Sequence, residues 1–421
     1  MVDKNLFLYN LAVVAIFKNE APYFKEWLDY HLLAGVEHFY LYNNDSSDNY
    51  KEVLAPYVEK NLVTLTEWSG KMMQYLAYND AIDKYRFDCR YMAFIDLDEF
   101  IFPKTNQSIV EVVDEILSNI PNAAGLVINW QYFGSNGQDK ADYSRGILER
   151  FTRRAPNDWI FINEEGYKLG NNQIKTIANP RLIRYIFHPH YAQYFNGTFS
   201  VNSDNKCVQN WNSEPILSDK IVVNHYYVKS FEEFSIKVKR GSACTSFNSK
   251  KMEFFNRYDR NEVFDDGILK YRAARAENFS FENDEQRANR VINALVRTLT
   301  QNPSEVPAEF FNGKLETFLT CRAVAEKFQI KIGKDSAEEI ALAWIYRTLI
   351  KANPLKHLET RQFIKALPEI LARPFSVCKD IKQLFQNSLL PIFDEILRAD
   401  FNNWREHYEL NYLQKLLNLI K

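Results

Sequence analysis

Asp96, Asp98 and Glu99 place three carboxylates within four positions, directly after the apolar run Tyr91-Met92-Ala93-Phe94-Ile95. Such a run reads as a buried strand of a parallel sheet. Open α/β sheets bind ligands beyond the carboxyl ends of their strands, so acids at that point are candidates for chemistry. On a continuing strand Asp96 and Asp98 would share a face. Two carboxylates so placed repel each other unless a cation lies between them. A hard divalent ion bridging them to a diphosphate is the usual resolution. An acidic turn after a strand is the plainer reading of the same residues.

Other strand ends carry polar groups of matching type. Leu11–Phe17 reads as a first buried strand and runs into Lys18-Asn19-Glu20. Val36–Tyr42 reads as a second and runs into Asn43-Asn44-Asp45-Ser46-Ser47-Asp48. Asn19, Glu20, Asn43 and Asp45 can read a base and a ribose. Ile221–Tyr227 is a later strand that carries His225 near its end and is followed by Lys229. Ser230-x-x-Glu233 is a capping box, and the helix it opens ends at Arg240-Gly241. Lys18, Lys229, Lys237 and Arg240 can neutralise phosphate, although Lys237 and Arg240 fit a solvated helix face equally well. Asp96, Asp98 and His225 can hold a divalent ion. An ion there would stabilise a nucleoside-diphosphate leaving group, which is an arrangement for glycosyl transfer.

The elements that must position these residues follow in order. Pro22 suits the first turn of a helix that Gly35 ends, with Trp27, Leu28, His31 and Leu32 on one face. Leu62–Thr66 is a third strand, and Lys71–Tyr85 a helix with Met72, Leu76 and Ile82 among its apolar positions. After the acid-tipped strand, Ser108-x-x-Glu111 caps a helix through Leu117, and Gly125–Trp130 is another strand. This alternation predicts a doubly wound α/β sheet. Residues 131–197 read as irregular; Trp130, just before them, and Phe133, His188 and His190, within them, are candidates to meet an acceptor. From about residue 283 the pattern becomes helical, over 287–299, 315–328, 336–352 and 381–390, with prolines between. The expected division is a sheet domain over 1–280 and a helical domain over 281–421.

In these motifs the chain resembles the GT-A glycosyltransferases of family 92 and their bacterial family-2-like relatives. The resemblance rests on Val14-Ala15-Ile16-Phe17-Lys18-Asn19-Glu20, Tyr42–Asp48 and Asp96-Leu97-Asp98-Glu99-Phe100. Trp130-x-x-Phe133-Gly134-Ser135-x-Gly137 and the stretch from His225 to Gly241 add to it. It covers roughly residues 8–275 and nothing beyond about 283. It implies a GT-A (Rossmann-like) fold, a UDP-sugar donor, and Mn²⁺ or Mg²⁺ held through Asp96 and Asp98. It also implies transfer with inversion, which needs a carboxylate base on the acceptor hydroxyl. Asp265, Asp266 and Glu232 are the candidates for that base. Glu233 fits the capping box instead.

Composition narrows the alternatives. The chain has 421 residues, more than one domain usually holds, and a formal net charge of −2, which does not suggest general nucleic-acid binding. Aromatics make up 15% of it, which suits stacking surfaces. Its five cysteines form no C-x-x-C pair, its N-terminus shows no signal-peptide pattern, and no run of 18 apolar residues occurs. A cytoplasmic protein is expected, with peripheral contact at the inner face of the membrane as one option for the helical domain and a homo-oligomer as another. The expected function is a metal-dependent hexosyltransferase acting on a polysaccharide, lipooligosaccharide or other lipid-linked acceptor. The alternative is a nucleotide-sugar or glycan-binding protein without turnover. Another nucleotidyl or phosphoryl enzyme is disfavoured, because no glycine-rich phosphate loop is present.

Overall fold

The computed structural model describes residues 4–241 and 252–277, Phe87 apart, and single positions between 279 and 294. The chain divides into a unit of Tyr9–Phe281 and a second unit of Met1–Leu8 with Glu282–Lys421. The helices expected beyond residue 283 lie, but for single positions, outside the described residues. No helix among the described residues is long and apolar enough to cross a membrane.

The first unit opens with β1 (Tyr9–Phe17), α1 (Ala21–Leu33), β2 (His38–Asn43), α2 (Tyr50–Glu59) and β3 (Val63–Glu67). It continues with α3 (Gln74–Tyr85), β4 (Cys89–Phe94), β5 (Glu99–Pro103), α4 (Ile109–Leu117) and β6 (Ala123–Tyr132). Then come α5 (Ile147–Arg150), the short strands β7 (Arg153–Arg154), β8 (Ile160–Ile162) and β9 (Lys168–Gly170), and β10 (Ile174–Ala178). A hairpin of β11 (Ile183–His188) and β12 (Tyr191–Tyr194) follows, then β13 (Phe199–Val201), β14 (Cys207–Val208) and β15 (Ile221–His225). The unit closes with α6 (Phe231–Arg240), α7 (Glu253–Tyr258), β16 (Val263–Phe264) and α8 (Gly267–Glu277).

The expected α/β architecture is present. Strands β3, β2, β1 and β4 lie side by side and all parallel. Their carboxyl ends therefore share one edge of the sheet, and Lys18–Glu20, Asn43–Asp48 and Ile95–Asp98 meet there. Beyond β4 the sheet changes character. Antiparallel β10 is inserted between β4 and β6, and β6 pairs in parallel with β15. The stretch read as irregular thus supplies a central strand. Its signal was weak because Ile174–Ala178 is short and carries Lys175 and Thr176 among apolar residues, all buried.

Two local expectations need correction. The chain does not continue as one strand through Asp96 and Asp98: β4 stops at Phe94, a turn follows, and β5 starts at Glu99. The α3 helix begins at Gln74, three residues later than expected. Met72 sits in the left-handed region at φ 58° before it, and Met72 and Leu76 are exposed. Helix α2 went unread, since it follows a polar loop and buries few side chains.

Helix α1 fixes the start of β5. Its buried face includes Phe24, Trp27, Leu28 and His31. The Trp27 indole N–H donates to the Glu99 carbonyl at 2.8 Å, and the Tyr30 hydroxyl donates to that of Ile101 at 2.9 Å. The Ile101 N–H donates to His31 Nε2 at 3.3 Å, which requires a neutral imidazole; burial pushes its pKa down to about 3. Gly35 turns the chain after α1 at φ 101°, and a Cβ there would stand 2.9 Å from that of Ser108.

Helix α6 is fixed by a buried knot. The capping box expected at Ser230 and Glu233 forms. The Glu233 carboxylate also accepts a fork of two bonds from Arg150, at 2.9 and 2.8 Å, and one from the Tyr23 hydroxyl at 2.9 Å. Burial alone would raise the Glu233 pKa, but Arg150 and Ser230 outweigh it and hold it at about 2. The folded value lies below the ordinary 4.5, so this stabilisation is complete above about pH 4.5 and is lost as pH falls towards 2. We predict that Arg150→Met, which strands a buried carboxylate, lowers stability by about 3–5 kcal/mol at neutral pH. It should also flatten the loss of stability across that acid window. Urea midpoints of both proteins over a pH series check this, and an unchanged midpoint would contradict it.

Candidate active site

The acids of the turn after β4 fall into two groups with different partners. Asp96 accepts from Lys175 Nζ at 2.9 Å and from the Gln74 amide at 2.8 Å. Glu99, wholly buried, lies 3.3 Å from the same Lys175 and accepts from the Asp96 N–H at 2.9 Å. Burial pushes the Glu99 carboxyl well above the usual range. Burial would lower Lys175, but Asp96 and Glu99 hold it charged. Asp98 faces the other way. It contacts Lys237 Nζ, and its Oδ1 lies 3.6 Å from His225 Nε2. Burial would raise its pKa; Lys237 and His225 keep it well below the carboxylate range. Asp96 and Asp98 therefore do not share a face, because the turn sends one towards β10 and the other towards α6.

The topology explains the second group. Pairing of β15 with β5 sets His225 opposite Glu99, and the Tyr226 N–H donates to the Asp98 carbonyl at 2.8 Å. In the last turn of α6, Lys237 and Arg240 lie on the same side. That side faces inward: Lys237 also donates to the Tyr227 carbonyl at 2.9 Å and sits 4.0 Å over the Tyr227 ring. Arg240 pairs with Glu20 at 2.5 Å and donates to the Lys18 carbonyl at 2.7 Å. Burial is the larger influence on His225 and lowers its pKa, so the ring is neutral at neutral pH.

Lys229 differs from its neighbours. It is buried, with 4% exposure, and holds φ at 54°. Its ammonium lies 4.3 Å over the Tyr23 ring, and no carboxylate among the described residues is within ion-pair distance. Its charge is felt at longer range by the Glu233 and Asp98 carboxylates, whose pKa values it helps to lower.

The loops after β1 and β2 are tied together. Asn19 accepts from the Ser47 N–H at 2.7 Å, and its own N–H donates to the Ser46 hydroxyl at 2.9 Å. Asn43 donates to Tyr50 at 2.8 Å and to Glu67 at 2.6 Å. Asp45 is exposed and accepts from the Gly70 N–H at 3.1 Å; Ser69 and that N–H lower its pKa. Asn19 and Asn43 thus build the rim of the site, and Asp45 and Lys18 stand at its mouth.

Several expected residues are engaged elsewhere. Glu232 accepts from the Ala141 N–H at 3.0 Å on the outer side of α6. Asp266 pairs with Lys270 at 2.8 Å on α8. Asp265 is held by Arg154 at 2.7 Å and lies 3.8 Å from Lys104, at the end of β5 remote from Glu99. The structure does not bring these three to Asp98. Phe133 is wholly buried against Tyr226, with ring centroids 4.7 Å apart, and presents no face to an acceptor. Trp130 packs against His225 at 4.3 Å and His190 at 4.7 Å, and His188 lies 5.0 Å from His190. Trp130 Nε1, His190 Nδ1 and His225 Nδ1 are buried without a hydrogen-bond partner.

The sequence assigned no role to Lys175 or Gln74, and none to Glu99 beyond membership of the acid motif. Glu99 stood inside the acid motif and could have been singled out. Lys175 gains its meaning only from the β10–β4 pairing, which no local pattern announces.

With this geometry in place, comparison with known proteins is informative. A model of glycosyltransferase family 92 matches residues 12–268. A family 92 protein of Oryza sativa subsp. japonica is 27% identical over 231 residues, 54% of this chain and 35% of that protein. One of Ricinus communis is 24% identical over 234 residues, 55% of this chain and 38% of that one. The chain thus spans little more than a third of the length of these relatives. A galactan β-1,4-galactosyltransferase of Arabidopsis thaliana is 31% identical over 99 residues, 21% of this chain and 19% of its own. Among solved structures, residues 1–349 of TarS from S. aureus align with 82% of this chain and 93% of that one, at 16% identity and a TM-score of 0.30. The family match runs through every strand end described above, from Lys18 to Arg240, and the chain belongs to glycosyltransferase family 92.

Proposed function

We propose that this protein is a metal-dependent hexosyltransferase that moves a sugar from a UDP-sugar to a glycan acceptor at the carboxyl edge of the β1–β4 sheet. The observation that carries the reading is Lys229, a buried ammonium with no carboxylate partner beside the Asp98–Lys237–His225 group. A diphosphate is the ligand whose charge such a site completes. The family supports a glycosyl donor. The likeness to a galactan galactosyltransferase favours galactose, and an acceptor of the polysaccharide type.

A divalent ion fits Asp98 and His225. Their facing atoms, 3.6 Å apart, can be spanned by bonds of about 2.1 Å to one ion. The neutral imidazole is a competent ligand. Among the described residues no third His, Cys, Asp or Glu converges there, which leaves positions for phosphate oxygens and water. When bound, the ion would withdraw charge from the leaving diphosphate. The chain's own residues do the rest. Lys229 and Lys237 hold the phosphates, Asp98 keeps its charge because Lys237 flanks it, and Lys175 fixes the turn through Asp96 and Glu99.

Thermal melting tests the reading. UDP with Mn²⁺ at a hundred times its dissociation constant should stabilise the protein by about 2.7 kcal/mol. A chelator should remove most of that gain. Asp98→Asn should lose the Mn²⁺-dependent part, whereas Asp96→Asn, whose native acid is held by Lys175, should keep it. No shift with any nucleotide would favour the glycan-binding reading instead, and equal shifts with and without chelator would remove the ion from the account.

Lys229 gives a second, independent prediction. Lys229→Met removes a buried charge with no carboxylate in ion-pair contact, and with it the longer-range attraction to Glu233 and Asp98, so the ligand-free variant should be about as stable as the parent. It should no longer be stabilised by inorganic pyrophosphate. A clear loss of stability without ligand, or an undiminished pyrophosphate shift, would contradict the assignment.

A further inference from the structure

One run of rings leaves the site and reaches the surface. Trp130, packed on His225, contacts His190 at 4.7 Å; His190 contacts His188 at 5.0 Å. His188 is stacked near Trp211 at 6.1 Å and 30°, and Trp211 meets Tyr167 at 6.3 Å. Trp130 is buried, His190, His188 and Trp211 are half-buried, and Tyr167 at the outer end is exposed. We propose that this ladder is an extended acceptor subsite that seats several consecutive residues of a glycan chain, with Trp211 and Tyr167 as its outer platforms. The proposal rests on the glycosyltransferase reading above and gives its acceptor a shape.

Three observations support that occupant. First, the ladder is continuous with the proposed reaction centre. Its inner end carries the unpartnered Trp130 Nε1 and His190 Nδ1, which suit sugar hydroxyls. Second, it is held rigidly. Lys175 Nζ donates to the Pro189 carbonyl at 3.4 Å and the Thr176 hydroxyl to that of His190 at 2.8 Å. The Trp211 segment is fixed by the Ser213 N–H, which donates to the Asn172 carbonyl at 2.8 Å, and by the bridge between Gln173 and Asn212. The lysine that positions the acid turn therefore also anchors the ladder. Third, its outer end presents an exposed ring, Tyr167, beside half-buried Trp211, and the neighbouring Lys168 is paired with Glu214 at 3.3 Å. An exposed aromatic ring at the end of a rigid row suits the apolar face of a pyranose.

The test uses the full chain with UDP and Mn²⁺ on immobilised neutral oligosaccharides, from monosaccharides to hexasaccharides, galactans among them. Affinity for at least one series should rise about tenfold between the monosaccharide and the tetrasaccharide. Trp211→Ala and Tyr167→Ala should each weaken tetrasaccharide binding about fivefold and leave the monosaccharide unaffected, while Trp211→Phe restores most of the gain. Should Trp211→Ala fold poorly, exposed Tyr167 still decides the matter. Binding independent of length, no binding to any series, or full length dependence in both alanine variants overturns the proposal. The melting shift with UDP, read on the same proteins, separates the two ideas. A normal shift with a flat length series defeats the ladder alone, and a missing shift defeats the glycosyltransferase reading.

Discussion

Three carboxylates crowded into one turn cannot all be charged without dedicated counter-charges, and much of this unit supplies them or, at Glu99, the burial that favours the protonated form. Asp96 and Glu99 share Lys175, delivered by an antiparallel strand inserted into the sheet. Asp98 takes Lys237, delivered by a helix more than a hundred residues away in sequence, and His225 from the strand before it. Separation is the point. If Asp96 and Asp98 faced each other, an ion would have to be permanent to hold the turn together. With Asp96 paired with Lys175, the turn stands without a ligand, and Asp98 with His225 is where the proposed function would seat an ion.

The scaffolding around the turn follows the same logic. Helix α1 hydrogen-bonds the start of β5 through Trp27, Tyr30 and His31, so the backbone on the carboxyl side of the acids is fixed. The Glu233 knot fixes where α6 begins, and hence where Lys237 and Arg240 fall along it. Arg240 then ties α6 to the loop after β1 through Glu20 and the Lys18 carbonyl. Against this paired background Lys229, with no carboxylate among the described residues in ion-pair contact, is the position the proposed function assigns to a donor phosphate.

Much of this was legible in the sequence because the signals were local. Buried strands show as apolar runs, and two capping boxes, at Ser108 and Ser230, show as four-residue patterns that the structure reproduces in full. The strand-end residues were readable for the same reason, since parallel neighbours put their carboxyl ends on one edge. What was not legible depends on partners distant in sequence. Lys175 looked like one residue of a loop until β10 placed it between β4 and β6. Phe133 looked like a stacking surface beside Trp130, but it lies on the buried side against Tyr226. Asp265 stood in a polar turn that sequence could not separate from a catalytic one, and Arg154 is the partner that accounts for it.

The central claim is that Asp98 and His225, and not Asp96, receive a divalent ion on a diphosphate that Lys229 neutralises. A crystal of the protein grown with UDP and Mn²⁺ and measured at the manganese absorption edge tests this most directly. The account predicts one anomalous peak bonded to Asp98 Oδ1 and His225 Nε2, with Lys229 Nζ on a phosphate oxygen and Asp96 still paired with Lys175. A peak bridging Asp96 and Asp98, or a bound nucleotide whose phosphates lie away from Lys229, would contradict it.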